Sequence, residues 1–142
     1  MKYQTKILSL VISLVFISSS YATGIHFKVV TEKARLEAVN ETFKKEKNVA
    51  IVYTHGLICP SCAIGIKIKL RKLKFVNRKQ LHRGVALDAQ NQLAIIAYKE
   101  GNIVDQKALT KAIVDAGYLP KKIYLFKEGK VETIIVENNN EK

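Results

Sequence analysis

The sequence predicts one α+β domain, an antiparallel sheet carrying two helices on one face, with a helical extension ahead of it. Three observations predict this class. Strand-length runs rich in β-branched residues alternate with segments of helical period. Two of those runs, residues 85–88 and 93–98, are separated only by Ala89-Gln90-Asn91-Gln92, which allows a hairpin and leaves no room for a crossover. A chain of 142 residues with 48% apolar content suits a single compact core.

Residues 1–22 have the layout of a secretory signal peptide. Lys2 and Lys6 precede a mostly apolar run over 7–17, and Ser18-Ser19-Ser20-Tyr21-Ala22 supplies the small residues of a cleavage site, with cutting expected after Ala22. That run is well short of the roughly 20 residues that a bilayer-crossing helix needs. No later segment is apolar for long enough either, so the mature protein is expected to be periplasmic or secreted, with no stable membrane insertion. Residues 23–48 form a lead segment: a short strand over 25–30, then an amphipathic helix over 31–45 with Ala34, Ala38 and Phe43 among charges and Thr31 as N-cap.

Residues 49–127 carry the domain. Val49-Ala50-Ile51-Val52-Tyr53 reads as the first strand, ending at His55-Gly56. Cys59 and Cys62 follow in a loop. A helix beginning at or just before Cys62 places Ile66, Leu70 and Leu73 on one apolar stripe. The polar stretch 77–83 leads into the hairpin. Asp105 caps a second helix whose buried face is Leu109, Ala112, Ile113 and Ala116; Gly117 ends it in the left-handed conformation, and Pro120 prevents its continuation. Residues 122–126 are the last core strand. In residues 128–142, Gly129 turns the chain, 131–136 form an extra edge strand, and 138–142 make a disordered polar tail. Strand, helix, strand, strand, helix, strand is the order of the split βαβ, ferredoxin-like arrangement.

The formal net charge of +12 falls to +10 once Lys2 and Lys6 are removed. Lys67, Lys69, Arg71, Lys72, Lys74, Arg78, Lys79 and Arg83 form one basic cluster, and Lys121, Lys122, Lys127 and Lys130 another. Such surfaces attract anionic partners or simply stay solvated. Export argues against nucleic acid, as does a basic run in which Phe75 is the only aromatic residue and none are interleaved to stack on bases.

The two cysteines stand three positions apart, a spacing that suits a disulfide or one soft cation. A helix N-terminus at Cys62 and nearby cations favour the thiolates. Two thiolates alone match linear coordination of Cu(I), Hg(II) or Ag(I), whereas structural zinc takes four ligands. His55 is the nearest further donor in sequence, and His26 and His82 read as surface residues. Ser61 has no His and carboxylate arranged to activate it, no phosphate-cradling Gly-rich loop exists, and Asp88, Asp105 and Asp115 fit turn, cap and exposed-helix roles. An enzyme is therefore not expected.

The stretch Gly56-Leu57-Ile58-Cys59-Pro60-Ser61-Cys62-Ala63, with Ile66 and Leu70 behind it and Ala116-Gly117-Tyr118 closing the second helix, resembles the heavy-metal-associated domain family. That family includes copper chaperones, metal-binding domains of copper-exporting ATPases and periplasmic mercury-binding proteins. The resemblance implies that Cys59 and Cys62 ligate the metal, with Gly56, Leu57 and Tyr118 supporting the loop. Leu57 stands where the family usually has Met. Pro60 is less usual in the loop. Lys67, Lys69, Arg71 and Lys72 would dock the acidic face of a metal transporter or another metal-binding protein.

Two other readings of the thiols stay open. A thioredoxin-like thiol-disulfide oxidoreductase would also set C-x-x-C after a hydrophobic strand, and Leu119-Pro120 precedes a strand as such a fold requires. Against it stand the hairpin over 85–98 and the absence of Trp from the sequence. A purely structural disulfide would close so short a loop that it stabilises little.

Overall fold

The computed structural model describes residues 30–59 and 63–137. The signal segment 1–22, the strand expected from Ile25, His26, Cys62 and the tail 138–142 lie outside them. Among the described residues, no helix is long and apolar enough to cross a membrane.

Helix α1 (Glu32–Lys45) starts as the sequence predicts, with the Thr31 hydroxyl accepting from the Ala34 N–H at 3.2 Å. Its buried face differs from the expected one. Arg35 and Val39 are buried, whereas Ala34 is exposed and Ala38 and Phe43 are half-buried. Arginine can line a core when its stem packs and its guanidinium is fully partnered, which apolar periodicity does not register.

Strand β1 (Val49–His55) is the centre of a five-stranded sheet. It pairs with β3 (Leu93–Ala97) on one side and β4 (Leu119–Lys127) on the other. Strands β2 (Val85–Asp88) and β5 (Lys130–Ile135) are the edges, giving the order β2-β3-β1-β4-β5 with every pair antiparallel. The α+β class and the antiparallel sheet are as the sequence predicts.

Alternation along the strands divides the core in two. Ala50, Val52, Ala94, Ile96, Ile123 and Leu125 face helices α2 (Ile64–Leu70) and α3 (Gln106–Val114). Val49, Ile51, Leu93, Ala97 and Tyr124 cluster with Val39 of α1 on the opposite face. The lead helix thus covers the second face of the sheet, so β1 is buried on both sides. Phe43 and Phe126 extend that contact, their ring centroids 5.6 Å apart.

Helix α3 follows its sequence signals closely. The Asp105 carboxylate accepts from the Ala108 N–H at 2.9 Å, Leu109 and Ile113 are buried, and Gly117 adopts φ +86° after the last turn. Helix α2 is shorter than expected at both ends: it starts at Ile64 and stops at Leu70. Leu73, predicted on its stripe, lies beyond it and is half-buried. At about 100° per residue, a continuing helix would carry Phe75 about 180° away from Ile66, toward solvent. The chain instead turns through tight bonds from Lys72 N–H to Lys69 O and from Leu73 N–H to Leu70 O, and buries Phe75 and Val76. Strand β4 is longer than expected and includes Pro120, because a register shift between Tyr53 and Thr54 creates a bulge there. A residue without an N–H is tolerated at a bulge.

Candidate thiol site

The cysteine loop leaves the C-terminal end of β1. Gly56 takes φ +88°, a conformation that disfavours a side chain, and the Leu57 and Ile58 N–H groups donate to Thr54 O and Gly56 O. This turn drives Leu57 into the core, where it is 0% exposed and clusters with Ala63 and Ile66. Buried Leu57 and buried Ala63 therefore anchor the chain on either side of residues 58–62. Cys59 is half-buried between them.

Tyr118 reaches the same place from the other direction. The turn after α3 sets its backbone, with the Gly117 N–H donating to Val114 O and the Tyr118 N–H to Ile113 O. A Cβ built on Gly56 would lie 4.0 Å from Tyr118 Cδ1. Of the residues named from sequence as loop support, Gly56 and Tyr118 thus lie next to each other, and Leu57 is buried two positions ahead of Cys59. Pro120 pairs with Thr54 and Leu119 with His55 at the base of the loop.

Other sequence-named residues separate. His55 is exposed, and among the described residues no three His, Cys, Asp or Glu side chains gather as a site of three or more protein ligands would require. His82 is exposed, as expected. The helix-terminal stabilisation expected at Cys62 falls on a residue outside the described ones; α2 starts at Ile64, two positions later. Lys67 and Lys69 lie on α2, one turn from the loop. Arg71 and Lys72 follow its C-terminus and belong to the loop beyond, where Arg71 Nη2 donates to His82 O at 2.6 Å and Arg78 Nε to Arg71 O at 2.9 Å.

A set of exposed side chains flanking the cysteine loop in the chain went unread in the sequence. Ile58, Ile64 and Ile68 are 53%, 60% and 49% exposed, Ile58 just before Cys59 and the other two on the outward face of α2. The signal was legible: Ile64, Ile66 and Ile68 occur at every second position, about 200° apart on a helix, so they cannot all face the core.

The chain matches no protein-family model, no curated protein and no solved structure.

Proposed function

We propose that this chain is an exported metal carrier: Cys59 and Cys62 capture one soft ion, Cu(I) or Hg(II), and pass it to a partner protein by ligand exchange. The packing of Tyr118 against Gly56, with buried Leu57 two positions ahead of half-buried Cys59, carries this reading. A packed base at the start of the loop would preorganise a thiolate pair, the donor set that soft cations favour. The connectivity β1-α2-β2-β3-α3-β4 with strand order β2-β3-β1-β4 supports a ferredoxin-like, heavy-metal-associated domain to which α1 and β5 are added.

Transfer breaks no bond in a substrate and changes no oxidation state. An incoming partner thiol forms a metal–sulfur bond as one of the two cysteine sulfurs leaves, and its proton passes to the departing thiolate; a second exchange completes the handover. Ile58, Ile64 and Ile68 with Lys67 and Lys69 favour a macromolecular partner whose apolar contact is rimmed by carboxylates. In this reading residues 1–22 direct export.

The test is an anaerobic Cu(I) or Hg(II) titration of the reduced protein. One ion per chain is expected, with tight binding lost in the Cys59→Ser, Cys62→Ser double variant. Wild type that binds no ion, or a double variant that binds equally well, overturns the assignment. Pro120, paired with Thr54 at the base of the loop, favours thiol-disulfide exchange, and sustained reduction of insulin disulfides by the purified protein would reverse the ranking.

A further inference from the structure

The opposite pole of the domain carries a second surface. Strand β1 spans about 20 Å from His55 back to Val49, at roughly 3.3 Å per residue. Around the Val49 end, the loop after α2 is tied to the sheet: Asn77 N–H donates to Ala97 O, Lys99 N–H to Phe75 O, and Val76 bridges Tyr98. Two adjoining clefts of about 770 and 500 Å³ share Lys72, Leu73 and Lys74. Lys72, Lys74, Arg78, Lys79 and Lys99 line the larger one with a single carboxylate, Glu100. Arg78 and Lys99 are held in place by bonds to the Arg71 and Lys74 carbonyls, at 2.9 and 3.1 Å.

Ile103 stands at the smaller cleft and is 90% exposed, the highest value among the large hydrophobic residues of the described chain. A lone exposed isoleucine is unremarkable on a protein surface. One protruding beside a cleft lined by five cations, two of them held by hydrogen bonds, has the composition of a membrane-surface contact, with cations on lipid phosphates and an aliphatic group in the acyl boundary. Nucleic acid fits less well, because the only aromatic residue lining either cleft, Phe75, is buried and cannot stack on a base.

From this juxtaposition we infer that the Lys72–Lys79 loop, Lys99 and Ile103 form a docking site for an anionic phospholipid bilayer. Cations in and beside the larger cleft bind headgroup phosphates, and Ile103 enters the interface. Docked this way, the domain holds Cys59 on the side away from the membrane. The inference rests on this pole alone and stands or falls separately from the reading of the thiol pair.

The chain has no tryptophan, so Ile103→Trp gives a reporter at the site itself. With phosphatidylglycerol vesicles its emission is expected to shift to the blue and to be quenched by brominated acyl chains, while phosphatidylcholine vesicles leave it unchanged. Adding Lys72→Gln, Lys74→Gln and Lys79→Gln is expected to weaken the response about 100-fold, at about 5-fold per lysine removed. A reporter at Ile135→Trp, on edge strand β5, stays unshifted; an equal shift there would mean general adsorption, for instance through residues 7–17, and overturns the site. A response equal on both lipids, or one the lysine changes leave intact, overturns it too. So does saturable binding of inositol hexakisphosphate without any vesicle response, which would make the cleft a site for a soluble phosphate compound.

Discussion

The guanidinium of Arg35 lies 3.6 Å from the centroid of the Tyr53 ring, joining the lead helix to the central strand in a buried cation–π contact. Arg35 is 5% exposed, pairs with Glu32 at 2.9 Å and donates from Nε to Asn91 O at 3.2 Å. Glu32 also receives Lys122 of β4 at 2.6 Å, and that hydrogen bond holds its carboxyl below the ordinary carboxylate range. Helix α1 is thus fastened to the sheet by a chain of charge rather than by apolar area alone.

Replacing Arg35 should cost more than its place on a polar-looking helix suggests. Arg35→Ala removes the ring contact and two charge-assisted bonds, and a loss of about 2–4 kcal/mol in urea unfolding is expected. Arg35→Lys should recover less than half, because an ammonium cannot reproduce the planar fork. A loss below about 0.5 kcal/mol for Arg35→Ala would mean that the helix is held by Val39 and Phe43 alone.

Gly84 marks the other tight junction. It has φ +91°, and a Cβ there would lie 2.5 Å from Val76 Cγ1 and 3.0 Å from Asn77 O. Gly84→Ala should therefore destabilise by about 2–4 kcal/mol, combining backbone strain with overpacking. At Gly129, φ is +78° and nothing lies within 4 Å, so Gly129→Ala should cost only about 1 kcal/mol. Equal costs by thermal or urea unfolding would contradict the packing at Val76.

Local signals made much of this fold legible. Thr31, Asp105 and Gly117 act at helix ends through bonds and φ values that each residue type supplies by itself, and the polar link over 89–92 left no alternative to a hairpin. The continuous apolar run of β1 also held the sign of a sheet buried on both faces, but that sign needs a partner for the second face. The partner is α1, whose contribution comes largely through Arg35 and is invisible to an apolar pattern. The end of α2 was hidden for a similar reason: Phe75 and Val76 are drawn into the core by pairing with Tyr98, a contact 22 positions away in sequence from Val76. At the thiol loop, spacing singled out the cysteine pair and the family resemblance its neighbours, whereas the exposure of Ile64 and Ile68 depends on which face of α2 the sheet covers.

Leu57 offers a test of the loop's foundation. Its side chain is fully buried beneath the segment that carries Cys59, so Leu57→Ala should cost about 3 kcal/mol and loosen the loop. Leu57→Met conserves volume and should cost under about 1.5 kcal/mol. The expected pairing is a stability loss with weakened Cu(I) affinity for alanine, and neither for methionine. An alanine variant that loses stability but retains full affinity would separate Leu57 from the proposed metal site.

Tyr124 gives the fold an alkaline limit. The residue is fully buried under α1, its hydroxyl finds no hydrogen-bond partner among the described residues, and burial pushes the phenol from 10.0 up to about 12. Between those values the folded chain keeps a proton that the unfolded chain has released. Stability contributed by this group is therefore complete below pH 10 and declines as pH rises toward 12, by up to about 1.4 kcal/mol per unit. Tyr124→Phe removes the titration and the unpartnered hydroxyl together. Near pH 8 it should be neutral or up to about 1 kcal/mol more stable than wild type, and the gap should widen between pH 10 and 11.5. Groups common to both chains cancel in the difference of urea midpoints. Parallel pH profiles for the two proteins would show that the Tyr124 hydroxyl reaches solvent.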